Sequence, residues 1–159
     1  MLTDEQIRNF FEETDLPLVD IVCKDRLPDK KYIGDYVVNM EDQEDGNGTH
    51  WVFCKITEKG KGLYFDSFGV YPPEDVKNFL KPLKIMFSER QIQDIKSDMC
   101  GYYCSALAYY LKHDIDPTKT LEDNFFDFLD MFCDDTKKND KILREYLKKN
   151  SVNNNFKTT

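Results

Sequence analysis

Cys100 follows Ser97-Asp98-Met99 and opens a run in which Cys100, Cys104, Leu107, Ala108 and Leu111 recur at the spacing of one helix face. Its thiol therefore belongs to a helix N-terminus, where the macrodipole favours the thiolate, the nucleophilic form of cysteine. Gly101 comes next and has no side chain to obstruct a substrate backbone approaching the sulfur, which would justify a glycine in a helix's first turn. The competing reading is a buried structural cysteine, since free cysteines mostly pack as small hydrophobes.

A thiol nucleophile needs a base, and the chain holds only two histidines, His50 and His113. His113, in Leu111-Lys112-His113-Asp114, falls at the C-terminal end of the same helix, where a cation is comfortable and a structural role suffices. His50 opens the aromatic segment His50-Trp51-Val52-Phe53 straight after an acidic, glycine-containing loop, a position at the edge of a cleft. Asp66 lies in Tyr64-Phe65-Asp66-Ser67-Phe68-Gly69, an acid among aromatics that is costly to bury unless partnered. The alternative for Asp66 is a strand-ending turn residue before Gly69. Gln91 and Gln93 shortly precede Cys100, and either carboxamide could donate to an oxyanion there; the residues alone do not choose between them.

The elements that must position these groups are legible from pattern. Thr3 and Gln6 form a capping-box signature ahead of Ile7, Phe10 and Phe11, which predicts a helix to about Glu13. The apolar run 18–23 is too short to classify as strand or helix. Residues 36–40 read as a strand and 41–48 as an exposed loop. Segments 50–56 and 63–68 are rich in aromatic and β-branched residues and flank turn chemistry at 57–62, which predicts a hairpin. His50 and Asp66 share a face of that hairpin only if the connecting loop has an odd number of residues or a bulge intervenes. Pro72-Pro73-Glu74-Asp75 starts a short helix, and short strands are expected at 83–87 and 91–95. Further helices are expected over 121–133 and 139–149, with a flexible tail at 151–159.

Composition narrows the function classes. With 159 residues and 40% hydrophobic content the chain suits a single domain. No stretch approaches the roughly 18 uninterrupted apolar residues of a membrane span, and Met-Leu-Thr-Asp-Glu-Gln at the start lacks the basic and apolar pattern of a signal peptide, so no membrane association is expected. Five cysteines without the spacing of a disulfide framework point to reduced thiols inside a cell. A net charge of −8 argues against binding DNA, because counterion release needs clustered cations. Lys137, Lys141, Arg144 and Lys148 do form a basic stripe, read as a solvated helix face.

Taken together, Gly48-Thr49-His50-Trp51, Tyr64-Phe65-Asp66-Ser67-Phe68-Gly69, Gln93, Ser97 and Cys100-Gly101-Tyr102-Tyr103-Cys104 resemble the adenovirus proteases, the adenain family. The order His, acid, Gln, Cys is that family's order, and Gln93 stands seven residues before Cys100 as it does there. The related SUMO and ubiquitin-like-protein proteases place their glutamine one residue closer. The resemblance extends weakly from Asp4-Glu5-Gln6 through Asp25-Arg26-Leu27-Pro28 to Leu143-Arg144-Glu145-Tyr146-Leu147.

What the resemblance implies is an α+β, papain-like cysteine protease with a central helix on a mainly antiparallel sheet. Cys100 would be the nucleophile, His50 the general base, Asp66 the residue orienting it, and Gln93 with the Cys100 N–H the oxyanion hole. The family has glutamate where Asp66 stands, whereas the SUMO proteases have aspartate. Trp51 and Gly101 would line the substrate, with Trp51, beside the base, either shielding the ion pair from water or serving as core. Implied substrates are viral capsid or core precursor proteins cut at glycine-containing sites by a monomer located in the virion and host cytoplasm, with no cofactor. The short forms found in virophages, Polinton elements and giant DNA viruses suit the Lys- and Asn-rich composition. No cysteine lies between Cys54 and Cys100, where the adenoviral enzyme's disulfide-linked activating peptide would attach. Two alternatives stand beside this: a protease that deconjugates a ubiquitin-like host protein, and a zinc-stabilised interaction module using Cys100, Cys104, His113 and Cys133, whose spacing matches no common zinc motif.

Overall fold

The computed structural model describes residues 1–42 and 50–156. Helix α1 (Asp4–Glu13) begins with the reciprocal cap: the Thr3 hydroxyl accepts the Gln6 N–H and the Gln6 side chain accepts the Thr3 N–H. The unclassified apolar run is a strand, β1 (Leu18–Cys23). Then come β2 (Gly34–Asn39), β3 (Trp51–Ile56), β4 (Lys61–Phe65), helix α2 (Glu74–Leu80) and β5 (Lys84–Phe87). The remainder is helical, with α3 (Cys100–Tyr109) widening into a π turn at Tyr110–Asp114, then α4 (Leu121–Leu129) and α5 (Asn139–Lys149). Most of the expected loop before His50 lies outside the described residues, as do Gly48 and Thr49 of the sequence motif.

The fold is α+β, and its five strands make one sheet in chain order. The sheet is mixed rather than mainly antiparallel: β2–β3 and β3–β4 are antiparallel, while β1–β2 and β4–β5 are parallel. Connection geometry is the reason. The chain leaves β4, forms α2 and returns as β5, and such a crossover brings the next strand back in the same direction.

Alternation along the strands divides the core. Tyr36, Val38, Val52, Cys54 and Tyr64 pack on Val76, Phe79 and Leu80 of α2. Val37, Trp51, Phe53, Leu63 and Phe65 point the other way, into a larger core with α1, α3, α4 and α5. Helix α3 runs through that core with Cys100, Gly101, Tyr103, Cys104, Ser105, Ala106, Leu107 and Ala108 all buried. It therefore has no polar face of the kind the single apolar stripe suggested. The buried Asp35 is neutralised across the β2–β3 ladder by Lys55, directly opposite it, with Nζ 2.9 Å from the carboxylate.

The hairpin meets the parity condition. The Thr57 N–H donates to the Lys61 carbonyl at 3.0 Å, leaving Glu58, Lys59 and Gly60 as the loop, an odd number, with Gly60 in the left-handed region at φ +69. In the register Phe53↔Phe65 and Cys54↔Tyr64, His50 and Asp66 then fall on the same side.

Three expectations are corrected. Residues 91–95 are not a strand: the Ile92 and Gln93 N–H groups both donate to the Ser67 carbonyl, at 3.0 Å each, so they grip a turn instead of a ladder. Helix α4 stops at Leu129, and 130–132 continue as a turn. Residues 151–156 are not a loose tail, because Val152 and Phe156 are buried and Phe156 stacks on Phe10 with ring centroids 4.3 Å apart. Residues 157–159 lie outside the described part.

The turn after β4 depends on Gly69, at φ +74, where a Cβ would sit 2.5 Å from the Glu89 carbonyl oxygen. Replacing it adds both a strained backbone and a clash with main chain. Gly69→Ala is expected to lower stability by more than about 1 kcal/mol, read as a lower urea midpoint with an unchanged slope. An unchanged midpoint would show that the turn is not held against the 88–93 segment.

Candidate active site

The site forms where the start of β3, the turn after β4 and the N-terminus of α3 meet. His50 Nε2 lies 2.8 Å from Asp66 Oδ1, and the same carboxylate oxygen accepts the Phe68 N–H at 2.8 Å. Asp66 is thus partnered on the turn that it helps to build. The Phe68 ring stacks on the His50 imidazole, with centroids 4.7 Å apart and planes 30° apart, which limits its rotation.

The other imidazole nitrogen, Nδ1, is buried without a close hydrogen-bond partner. Cys100 is the remaining group that acts on the ring, from beyond tight hydrogen-bond contact, as resting catalytic pairs often do. Burial alone would lower the His50 pKa, but hydrogen bonding and charge from Asp66 and Cys100 outweigh it and raise it from 6.5 to about 9. The ring is therefore an imidazolium at neutral pH. The Trp51 N–H, 3.4 Å from Sγ, donates to the sulfur.

The remaining cysteines differ in kind. Burial pushes the Cys54 thiol up to about 12 and the Cys104 thiol well above its ordinary value. Cys104 donates its S–H to the Trp51 carbonyl at 3.4 Å.

The two candidate glutamines are separated by the structure. Gln91 is exposed and donates to the Gln93 carbonyl, whereas Gln93 is fully buried. The Gln93 carboxamide oxygen accepts the Ser67 hydroxyl at 2.5 Å. Its Nε2 donates to the Ser97 carbonyl at 3.0 Å, with Ser97 Oγ at 3.3 Å. Both acceptors belong to one serine, so the carboxamide nitrogen with its two N–H groups is held against Ser97. The Cys100 and Gly101 amides head α3 and have no carbonyl within the helix to bond, so they are available to a developing anion.

Trp51 and Gly101 are placed differently from the substrate-lining expectation. A Cβ at Gly101 would meet Leu2 Cβ at 3.1 Å and Trp51 Cδ1 at 3.3 Å, so the glycine admits the N-terminal segment. Trp51 is 5% exposed and its indole N–H donates to the Leu2 carbonyl at 3.0 Å, which makes it a core anchor. His113 has the structural role expected of it, with Nε2 2.8 Å from the Thr14 carbonyl. The zinc set is not assembled: Cys104 and His113 are engaged with these carbonyls, Cys133 is exposed, and among the described residues no three His, Cys, Asp or Glu side chains converge to hold a metal. Pattern reading missed Leu2, Phe68 and the hydrogen-bonding role of Cys104. Phe68 and Cys104 both sat within motifs that carry the resemblance, and Leu2 did not.

No protein-family model matches the chain, and no curated protein matches it. Among the described residues no helix is long and apolar enough to cross a membrane. The site's own chemistry is the guide: a thiol at a helix N-terminus, an imidazolium held by a carboxylate, and amide donors beside them can together carry out nucleophilic addition to a carbonyl.

Because the folded His50 pKa is raised above its ordinary value, its contribution to stability is full below pH 6.5 and is lost as pH rises through about 9. Asp66→Asn removes the charge that holds the ring protonated. The ring titration of His50 by NMR is expected to move down in this variant. The stability gap between the two proteins should be constant below pH 6.5 and shrink toward pH 9; a gap that is flat across that range would contradict the pairing.

Proposed function

We propose that this chain is a cysteine endopeptidase of the papain-like, adenain-like kind that matures viral capsid or core precursor proteins. The observation that carries the reading is convergence: His50, Asp66 and Cys100, from three separate segments, meet at one end of the sheet, and they are the three residues that the resemblance would make a catalytic triad. The mixed five-stranded sheet with a buried helix headed by the nucleophile is compatible with such a fold.

In this reading the Cys100 thiolate adds to the scissile carbonyl carbon, and the oxyanion takes hydrogen bonds from the Cys100 N–H and from a Gln93 N–H that turns to it from the longer contact with Ser97 Oγ. The His50 imidazolium gives its proton to the departing amine, leaving a thioester on Cys100. A water then adds to the thioester as His50 accepts its proton, and the thiolate leaves. Asp66 holds the ring in one orientation throughout. The seven-residue spacing from Gln93 to Cys100 favours maturation cleavage over deconjugation of a ubiquitin-like protein, while the aspartate at 66 favours the second.

Cys100→Ala is expected to abolish peptide cleavage and leave the thermal midpoint within a few degrees, since it removes a nucleophile and little volume. Alkylation with a neutral haloacetamide followed by peptide mapping should mark Cys100 ahead of Cys23 and Cys133. Labelling of those two first, with activity retained, would remove Cys100 from the role.

Cys100 is 2% exposed and the Phe68 ring covers one face of His50, so little of the sulfur is open to a substrate. Residues without a Cβ pass such a constriction best. A peptide library is expected to return glycine on at least one side of the cut bond. Equal turnover of sequences with bulky residues at both positions would contradict this.

A further inference from the structure

Gln93 lies on an irregular stretch between β5 and α3, residues 88–99, with no regular element to hold its carboxamide. Outside elements hold it. From the hairpin side, the Ser67 carbonyl takes the Ile92 and Gln93 N–H groups, and the Ser67 hydroxyl donates to Gln93 Oε1. From the other side, the residues that lead into and begin α5 brace the stretch at three points. Asn139 Nδ2 donates to the Ile92 carbonyl at 2.7 Å, Thr136 Oγ1 donates to Asp94 at 2.9 Å, and Asp140 Oδ1 accepts the Ser97 hydroxyl at 2.9 Å. The same Asp140 oxygen accepts the Tyr103 hydroxyl, 2.9 Å away, from the first turns of α3.

The Ser97 hydroxyl is the pivot of this brace. A serine has one proton to donate and two lone pairs. With the proton committed to Asp140, both lone pairs of Ser97 Oγ face the Met99 N–H, at 3.2 Å, and Gln93 Nε2, at 3.3 Å. Without an acceptor at position 140 the hydroxyl is free to rotate, and the direction in which its lone pairs meet the Gln93 amide is no longer fixed.

We propose that Asp140 is a positioning residue for the hydrolysis described above: acting through Ser97, it fixes the Gln93 carboxamide as an oxyanion donor. This rests on the protease reading. Asp140 touches neither the thiol nor the substrate, and it works from a helix 40 residues beyond Cys100 in the chain. One acceptor oxygen serves both of its hydrogen bonds, so asparagine can replace it and alanine cannot.

Two rates on the full chain separate orientation of the oxyanion donor from general loosening. Peptide hydrolysis passes through an oxyanion; alkylation of Cys100 by iodoacetamide does not. In Asp140→Ala, kcat on a glycine-containing peptide is expected to fall about tenfold or more, with KM and the alkylation rate each within about two-fold of wild type. Asp140→Asn should restore most of kcat. Adding Asp140→Ala to Gln93→Ala should cost little further, because both remove the same donor. Ser97→Ala, a smaller change, should reproduce the pattern if Asp140→Ala folds poorly. Parallel loss of alkylation and turnover, full turnover in Asp140→Ala, or additive losses in the double variant would each overturn the proposal. A wild-type chain that is alkylated at Cys100 but cleaves no peptide would instead bring down the protease reading, and this proposal with it.

Discussion

The main chain of Trp51 lies between two thiols of one helix, its N–H on Cys100 and its carbonyl on the Cys104 S–H, each at 3.4 Å. Hydrogen bonds to sulfur are individually weak, but these two are one helical turn apart and hold one residue from both sides, so they tie the start of β3 to the start of α3. The indole of the same residue is tied to the Leu2 carbonyl, and Leu2 fills the space beside Gly101. His50 is the next residue back along the chain. Once Trp51 is clasped, the histidine has little choice but to sit at the head of α3. The two cysteines do different work because of where their thiols lie: Cys104 is deep in the core, where burial keeps it a neutral donor, while Cys100 meets a cation.

The electrostatics follow from that placement. Taking an imidazole out of water favours its neutral form, and here two partners with negative character reverse the balance. The carboxylate does this without being stranded, since Asp66 is anchored by the Phe68 N–H on its own turn. Phe68 thereby contributes twice, its backbone to the acid and its ring to the histidine. The turn is closed further by the Gly69 N–H on the Asp66 carbonyl, at 2.8 Å.

A buried polar network is stable only when its members are satisfied. Around Gln93 that condition is met by residues from the hairpin turn, the loop before α3 and the start of α5. Asn139, fully buried, donates to the Ile92 and Cys133 carbonyls and accepts the Cys133 N–H, at 2.7 to 2.8 Å. Ser67 offers its carbonyl to two amides and its hydroxyl to a third group. These bonds replace the ladder that residues 91–95 would have made as a strand, and they allow the segment to curve from the edge of the sheet toward the nucleophile.

Local chemistry carried much of this protein in its sequence. The capping box of α1, the turn residues of the hairpin, the helix from Asn139 and the helix-opening position of Cys100 are short-range facts, decided within a few residues, and pattern alone located them. The hairpin also made the meeting of His50 with Asp66 conditional on loop parity, a question that pattern could pose and only the register could answer. Everything decided by contacts between distant segments had to come from the tertiary structure. Gln91 and Gln93 are the same residue type two positions apart, and burial against Ser67 and Ser97 tells them apart. The directions of β1 and β5 depend on crossovers, not on strand composition. Gly101 looked like an opening for substrate until Leu2 and Trp51 were found against it, and Phe156 looked like part of a frayed tail until it stacked on Phe10. Asp140 had no signal at all, because an acid in a helix's first turn satisfies the dipole on its own, and only the proximity of Ser97 and Tyr103 gives its carboxylate a second task.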